Sequence, residues 1–172
     1  MTAAKVKASI HQVVDAYKSK LSRYPEDIFQ TTPPISGWSY SEVYSHIFDS
    51  SLLSIIAFAH AANGKGENKP THFMVKLILL LGALPPAKKY KVPKRLAERV
   101  KKISKTEALD FILEFEKALD DNYPLLVHAK ANSKTKHPRL GYLNAKQWLR
   151  FIEIHLKHHL KQLERIEKSF NQ

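Results

Sequence analysis

Apolar residues recur along most of the chain at intervals of three and four, the spacing of one face of an α-helix. From Thr2 to Tyr24 they form a single stripe, which Pro25 ends: Val6, Ile10, Val13, Val14, Tyr17 and Leu21. The pattern predicts a first long helix with one buried face.

Capping boxes mark the next two long helices. In this motif a Ser side chain and a Glu side chain three residues later each satisfy a free backbone N–H group of the other residue. Ser39 and Glu42 open a helix predicted over about Tyr40 to Ala62. Ser104 and Glu107 open another, which is predicted to end near the Tyr-Pro pair at positions 123–124.

The fourth long helix is predicted over Asn144 to Phe170, with Asn144 and Gln147 as its capping pair. One side carries apolar residues and two histidines: Trp148, Ile152, His155, His159, Leu163 and Ile166. The opposite side is charged and is interpreted as solvated: Arg150, Glu153, Lys157, Lys161, Glu164 and Lys168. Four amphipathic helices without strand-like alternation predict an all-α four-helix bundle.

Between the second and third long helices, His72 to Leu84 is apolar all round, whereas Ala87 to Lys94 is basic and interrupted by proline. The first segment is predicted to be a short buried or lid-like helix, because it is too short to span a bilayer. The second is predicted to be a loop. We therefore expect one domain over residues 1–172. In the lid-like alternative the apolar helix is exposed, which favours a homodimer.

His155 and His159 lie one turn apart on a face that is predicted to be buried. This H-x-x-x-H spacing is what two ligands of one metal ion require, although a pair of core histidines is the alternative. On the second long helix, His46 belongs to an inward stripe: Val43, His46, Ser50, Leu53 and Ala57. Bundles build metal sites from inward side chains of facing helices. The three histidines are therefore predicted to form a site with coordination positions open to water or substrate.

Other residues could complete this site. Asp49 or Glu42 could orient His46 through its second ring nitrogen, although Asp49 could equally be a solvated helix residue. His137, in the HPRLG segment before the last helix, is a candidate general base or substrate ligand, with a plain turn residue as the alternative. His158 could replace one of the two ligands beside it.

Composition narrows the chemistry. The formal charge of +12 raises the question of nucleic-acid binding, but the lysines are spread along the chain and no recognised nucleic-acid motif accompanies them. The chain has no cysteine, so disulfides and thiolate sites are excluded, and a metal must be held by His and carboxylate. The N-terminus lacks the apolar core of a signal peptide, and we expect a soluble cytoplasmic protein that does not enter membranes.

Two segments resemble the DinB-like (damage-inducible) metal-binding four-helix bundles: GWSYSEVYSHIFDS at Gly37 to Ser50 and HLKHHLKQL at His155 to Leu163. The HPRLGYL segment resembles the family less strongly. The resemblance implies a metal triad of one His on the second helix and an H-x-x-x-H pair on the last. In this chain these fall on His46, His155 and His159. Where the family commonly has H-R-G-Q, this chain has His-Leu-Lys-Gln at positions 159–162.

Family members with assigned activities are divalent-metal-dependent thiol transferases or isomerases that use low-molecular-weight thiols. The resemblance therefore implies a Zn²⁺ or Ni²⁺ site acting on a small-molecule substrate, as a transferase or hydrolase. Two alternatives remain from the sequence. One is a non-catalytic stress-response or binding module with a structural or vestigial metal site, and the other is a basic nucleic-acid-associated protein.

Overall fold

The structure, a computed structural model, describes residues 1–84 and 98–171. These residues form six α-helices, a short 3₁₀-helix and a two-stranded hairpin: α1 Ala3–Arg23, α2 Glu26–Phe29, α3 Tyr40–Ala62, α4 Phe73–Leu81, α5 Lys105–Asn122, the 3₁₀-helix Tyr123–Val127, β1 Lys134–His137, β2 Gly141–Asn144 and α6 Ala145–Phe170. Helices α3, α5 and α6 begin at the three predicted capping boxes, because each box satisfies N–H groups that the first helical turn leaves free.

The four long helices pack as a bundle, in which α1 and α3 each contact both α5 and α6. The predicted four-helix bundle is thus confirmed. In its core the Tyr17 hydroxyl donates to the backbone oxygen of Leu156 at 2.8 Å, and the Tyr44 hydroxyl donates to that of Tyr17 at 2.7 Å. Because of these bonds, both tyrosine side chains are fully buried and neither hydroxyl lacks a hydrogen-bond partner. The basic loop predicted at Ala87 to Lys94 lies outside the described residues.

The short apolar segment forms α4, but only one of its faces is buried. Val75 and Leu79 pack into the core, whereas the rest of the helix is largely open to solvent, including Phe73, Met74, Leu80 and Leu81. The helix ends at Gly82, which has the left-handed φ of 71°. Within residues 1–84 and 98–171, no helix combines the length and the apolar content that a membrane span needs.

A hairpin that the sequence did not predict precedes α6. Strands β1 and β2 pair antiparallel, with Lys134 opposite Asn144 and His137 opposite Gly141. The Thr135 side chain anchors the hairpin to the bundle, because its hydroxyl donates to the backbone oxygen of Ala57 at 2.9 Å and accepts the indole N–H of Trp148 at 2.7 Å. Residues 138–140 of the segment interpreted as a turn do form the turn of this hairpin, and strand β1 before it is fixed to both α3 and α6.

Two predictions from helix periodicity were wrong. Glu153 was placed on the solvated face of α6, but its side chain is fully buried and pairs with Arg150 and Lys157. The cause is that α6 contacts α1, α3 and α4, so more than one of its faces is covered. Leu53 was placed on the inward stripe of α3, but it is 40% exposed.

Candidate metal centre

The structure brings His46, His155 and His159 into one cluster. Each residue offers one ring nitrogen, and these three nitrogens all lie within 4.8 Å of one another. The Nε2 atoms of His155 and His159 are 3.1 Å apart. His46 comes from α3 and the other two come from successive turns of α6, so the contact between these helices assembles the cluster.

An aromatic wall surrounds the cluster. The Trp38 ring lies 4.9 Å from the His46 ring and stacks at 6.4 Å on the His159 ring. On the other side, Phe151 stacks on His155 at 5.2 Å. These rings hold the imidazoles in place and limit the access of water.

Burial keeps the three imidazoles neutral at pH 7. It lowers the pKa of His46 to about 4, with Asp49 opposing the shift and His158 adding to it. Burial and the neighbouring imidazoles also hold the pKa of His155 and of His159 well below the ordinary histidine value. Neutral imidazole is the form that binds a metal ion, so no proton has to be displaced from these rings at neutral pH.

Gln162 fixes which nitrogen of His159 faces the cluster. Its amide oxygen lies 2.8 Å from Nδ1 of His159. Since that oxygen can only accept, Nδ1 carries the proton and Nε2 presents a lone pair. A hydrogen-bond acceptor on the outer nitrogen is the usual support of a metal-binding histidine. This role of Gln162 was not predicted from the sequence, although the i, i+3 spacing of the two residues on one helix face was the available signal.

The cluster fits a divalent ion of the zinc type. Three neutral nitrogen donors without a carboxylate match a catalytic three-histidine site. Ligand nitrogens at about 2.0–2.1 Å from a tetrahedral ion lie about 3.3 Å from each other, close to the 3.1 Å between His155 and His159. Nδ1 of His155 is buried and has no hydrogen-bond partner among the described residues, so this ligand lacks the support that Gln162 gives His159.

Neither predicted orienting carboxylate is bonded to His46 in the described contacts. Asp49 accepts hydrogen bonds from Arg99, including one at 2.7 Å from Nε, and Glu42 is held by the Ser39 backbone and hydroxyl. Asp49 still acts on His46 through its charge, which raises the pKa of that histidine. Whether Asp49 takes part in catalysis at this site remains a prediction.

His137 and His158 lie beside the cluster. The His158 ring is 5.2 Å from the His159 ring, but His158 does not belong to the cluster of His46, His155 and His159. His137 is at the end of β1, and its ring packs against Phe151 at 4.6 Å and Trp148 at 5.4 Å. His137 and His155 thus contact the same aromatic ring, and the charge of His137 acts on His155. The predicted role of His137 as a general base or substrate ligand remains a prediction.

Comparisons with known proteins place this geometry in context. Residues 10–166 match the model of a family described as "Protein of unknown function (DUF1569)". Among solved structures, the chain is similar to YfiT from Bacillus subtilis, described as a probable metal-dependent hydrolase with an unusual four-helix bundle topology. The identity is 16% and the TM-score 0.64, over 98% of this chain and 87% of YfiT.

A second four-helix bundle protein, TT2238, is similar at 17% identity and a TM-score of 0.49, over 95% of this chain and 99% of that one. No curated protein matches the chain. At 16% identity the likeness to YfiT establishes a shared fold.

Proposed function

The chain belongs to the DUF1569 family of proteins of unknown function, and we propose that it is a hydrolase that depends on a divalent metal ion held by His46, His155 and His159. The observation that carries the proposal is the cluster of three neutral ring nitrogens within 4.8 Å. The description of YfiT as a probable metal-dependent hydrolase supports it, as does the resemblance to DinB-like metal-binding bundles.

Each part of the site has a task in this proposal. A bound Zn²⁺ or Ni²⁺ ion would lower the pKa of water or of a thiol that reaches it. The three histidines hold the ion and leave its remaining positions open, Gln162 keeps the lone pair of His159 directed at the cluster, and the rings of Trp38 and Phe151 restrict the entry of bulk water. The negative charge of Asp49 raises the pKa of His46 against the effect of burial. In this proposal Asp49 also balances part of the positive charge of the bound ion.

The same open positions would accept a thiolate, so a thiol transferase that uses a low-molecular-weight thiol is the alternative reaction. Homodimerisation through the exposed apolar residues of α4 also stays a prediction.

The test begins with the metal content of untagged protein, measured by mass spectrometry. We expect one equivalent in the wild type and in His158→Ala, and less than a tenth of an equivalent in His155→Ala. Metal-loaded wild type is then assayed against ester and amide substrates, and against thiol transfer to an electrophile. Hydrolysis that is lost in His155→Ala supports the proposal. Wild-type protein that neither contains nor takes up Zn²⁺ or Ni²⁺ overturns it, and activity with thiols alone replaces hydrolase by transferase.

A further inference from the structure

The ring of His137 is held by the backbone of the turn that follows it. Nδ1 of His137 accepts the backbone N–H of Arg139 at 3.1 Å and that of Leu140 at 3.0 Å. Both donors belong to the tight connection between β1 and β2. A nitrogen that accepts two N–H groups cannot itself carry a proton.

The proton of neutral His137 is therefore on Nε2. Burial and the charge of Arg139 lower the pKa of His137 to about 4, so the neutral ring prevails at pH 7. In this tautomer Nε2 is a hydrogen-bond donor and cannot accept a proton. The geometry argues against the general base that the sequence suggested as one role for this residue.

This donor is available to a ligand. Among the described residues Nε2 of His137 has no hydrogen-bond partner, and it is not one of the two buried polar atoms that lack one, Ser51 Oγ and His155 Nδ1. This atom is therefore not completely buried. The rings of His137 and His155 both contact Phe151, at 4.6 and 5.2 Å between centroids. His137 therefore packs against the same aromatic ring as His155, one of the three clustered histidines.

The sequence of the hairpin is basic, which favours an anion. Between Asp121 and Glu153 the chain has no acidic residue, whereas it has six basic ones: Lys130, Lys134, Lys136, Arg139, Lys146 and Arg150. The hairpin lies within this stretch and itself carries Lys134, Lys136 and Arg139 but no acidic residue. Arg150 is already paired with the buried Glu153, and Glu67 bridges Lys134 from outside the hairpin. The charge of Arg139 acts directly on His137. An oxygen acceptor with negative charge would gain both from the hydrogen bond and from this field.

We propose that His137 donates its Nε2–H to an anionic oxygen at the far end of a substrate whose reacting group is at the three-histidine site. The hairpin is then the element that selects the substrate class, namely small molecules with a carboxylate several bonds away from the group that is attacked. This inference rests on the proposed function, because it takes the triad as the place where the substrate reacts.

Two measurements test it. Long-range ¹H–¹⁵N spectra of the imidazole rings give the tautomer of His137 directly, and we expect the proton on Nε2. Calorimetry on Zn²⁺-loaded protein then compares three hydroxamates that share a metal-binding group and a two-methylene spacer, with a distal carboxylate, carboxamide or isopropyl group. We expect the carboxylate compound to bind at least about tenfold more tightly than the isopropyl compound, the worth of a hydrogen bond to a charged group.

Variants separate the hydrogen bond from other effects. His137→Phe keeps a ring in the pocket and should lose most of the preference for the carboxylate. His137→Gln retains an N–H donor and should keep part of it, and the exposed His128→Phe should keep all of it. The zinc content of every variant is measured first.

The outcomes are distinguishable. A proton on Nδ1, or a preference that survives in His137→Phe, overturns the role of His137, even when the triad binds zinc and hydrolysis is observed. If zinc-loaded wild type binds the three compounds equally, the proposal that the substrate carries a distal anionic group is overturned, whereas the proposed metal site is not. A wild type that takes up no zinc overturns the proposed function, and the substrate assignment falls with it.

Discussion

Nε2 of His155 and Nε2 of His159 face each other at 3.1 Å, and the hydrogen bond from His159 to Gln162 forces the lone pair of His159 into that contact. Without a cation, His155 can satisfy the contact only by donating its own Nε2–H. For both Nε2 atoms to serve as metal ligands, the proton of His155 would have to be on Nδ1, which is buried and has no hydrogen-bond partner in the described part of the chain. Of the two α6 histidines, His159 is therefore the one already set to bind a metal ion.

The first prediction follows from this difference between the two ligands. Gln162→Leu removes the acceptor that fixes the ring of His159, and we expect the affinity for Zn²⁺ to fall by about 10- to 100-fold, as is usual for such a supporting residue. Competition with a chromophoric chelator measures it. The exposed neighbour Lys161→Ala is the control and should bind as the wild type does. Unchanged affinity in Gln162→Leu would show that Gln162 does not orient the ligand.

The second prediction concerns acid stability. The pKa of His137 is about 4 in the folded protein and about 6.5 in the unfolded chain. Between these values the unfolded state binds the proton and the folded state does not, so this group destabilises the fold as the pH falls. The stability that neutral His137 contributes to the folded state is fully present above pH 6.5. It is lost as the pH falls from 6.5 to 4, and the total loss is about 3 kcal/mol of unfolding free energy.

His137→Gln removes this titration, and every other group still titrates in the variant. Urea unfolding of metal-free protein at pH 7.5 and pH 4.5 measures the effect. We expect the wild type to lose about 2–3 kcal/mol more of its unfolding free energy than the variant does between these pH values. Equal losses in the two proteins would contradict the lowered pKa of His137.

The third prediction concerns the carboxylate of Glu153. It is fully buried and paired with Arg150 and Lys157, so Glu153→Ala leaves two cations without their partner. We expect a loss of about 3 kcal/mol in unfolding free energy, measured by urea denaturation. The control is Asp121→Ala, which breaks a largely exposed pair with Lys117 and should cost less than about 1 kcal/mol. If both variants lost similar amounts of unfolding free energy, the buried ion pairs of Glu153 would contribute no more to stability than an exposed pair does.

What the sequence predicted well depends on local signals. The capping boxes at Ser39, Ser104 and Asn144 and the stripe that contains His155 and His159 are properties of a single helix, and the structure has the helices at those positions. The face of α3 that holds His46 was found in the same way. Single-helix periodicity therefore sufficed to select the three residues that cluster.

What it missed depends on neighbours in space. Glu153 lies on the side of α6 that looked solvated, and only the packing of other helices against α6 explains its burial. The strand Lys134–His137 is mostly polar and four residues long, with no apolar alternation to reveal it. The strand forms because the Thr135 hydroxyl makes hydrogen bonds to α3 and α6. The backbone of Glu67 also forms a β-bridge with that of Lys134 from outside the hairpin.

The last prediction uses this anchor. Thr135→Val keeps the size and branching of the side chain but leaves the indole N–H of Trp148 and the backbone oxygen of Ala57 without their present partner. A buried polar group without a partner costs about 1–3 kcal/mol. We expect a loss of that size in unfolding free energy, whereas the exposed neighbour Lys136→Ala should change it by less than about 0.5 kcal/mol.

The same substitution tests whether the hairpin serves the site. His137 is two residues further along β1, so its side chain leaves the same face of the strand as that of Thr135. If Thr135 holds the strand in place, hydrogen exchange of the backbone N–H groups of Arg139 and Leu140, which bond to His137, should become faster in Thr135→Val and stay unchanged in Lys136→Ala. Exchange that is unaffected in both variants would show that the turn holds His137 without the help of Thr135.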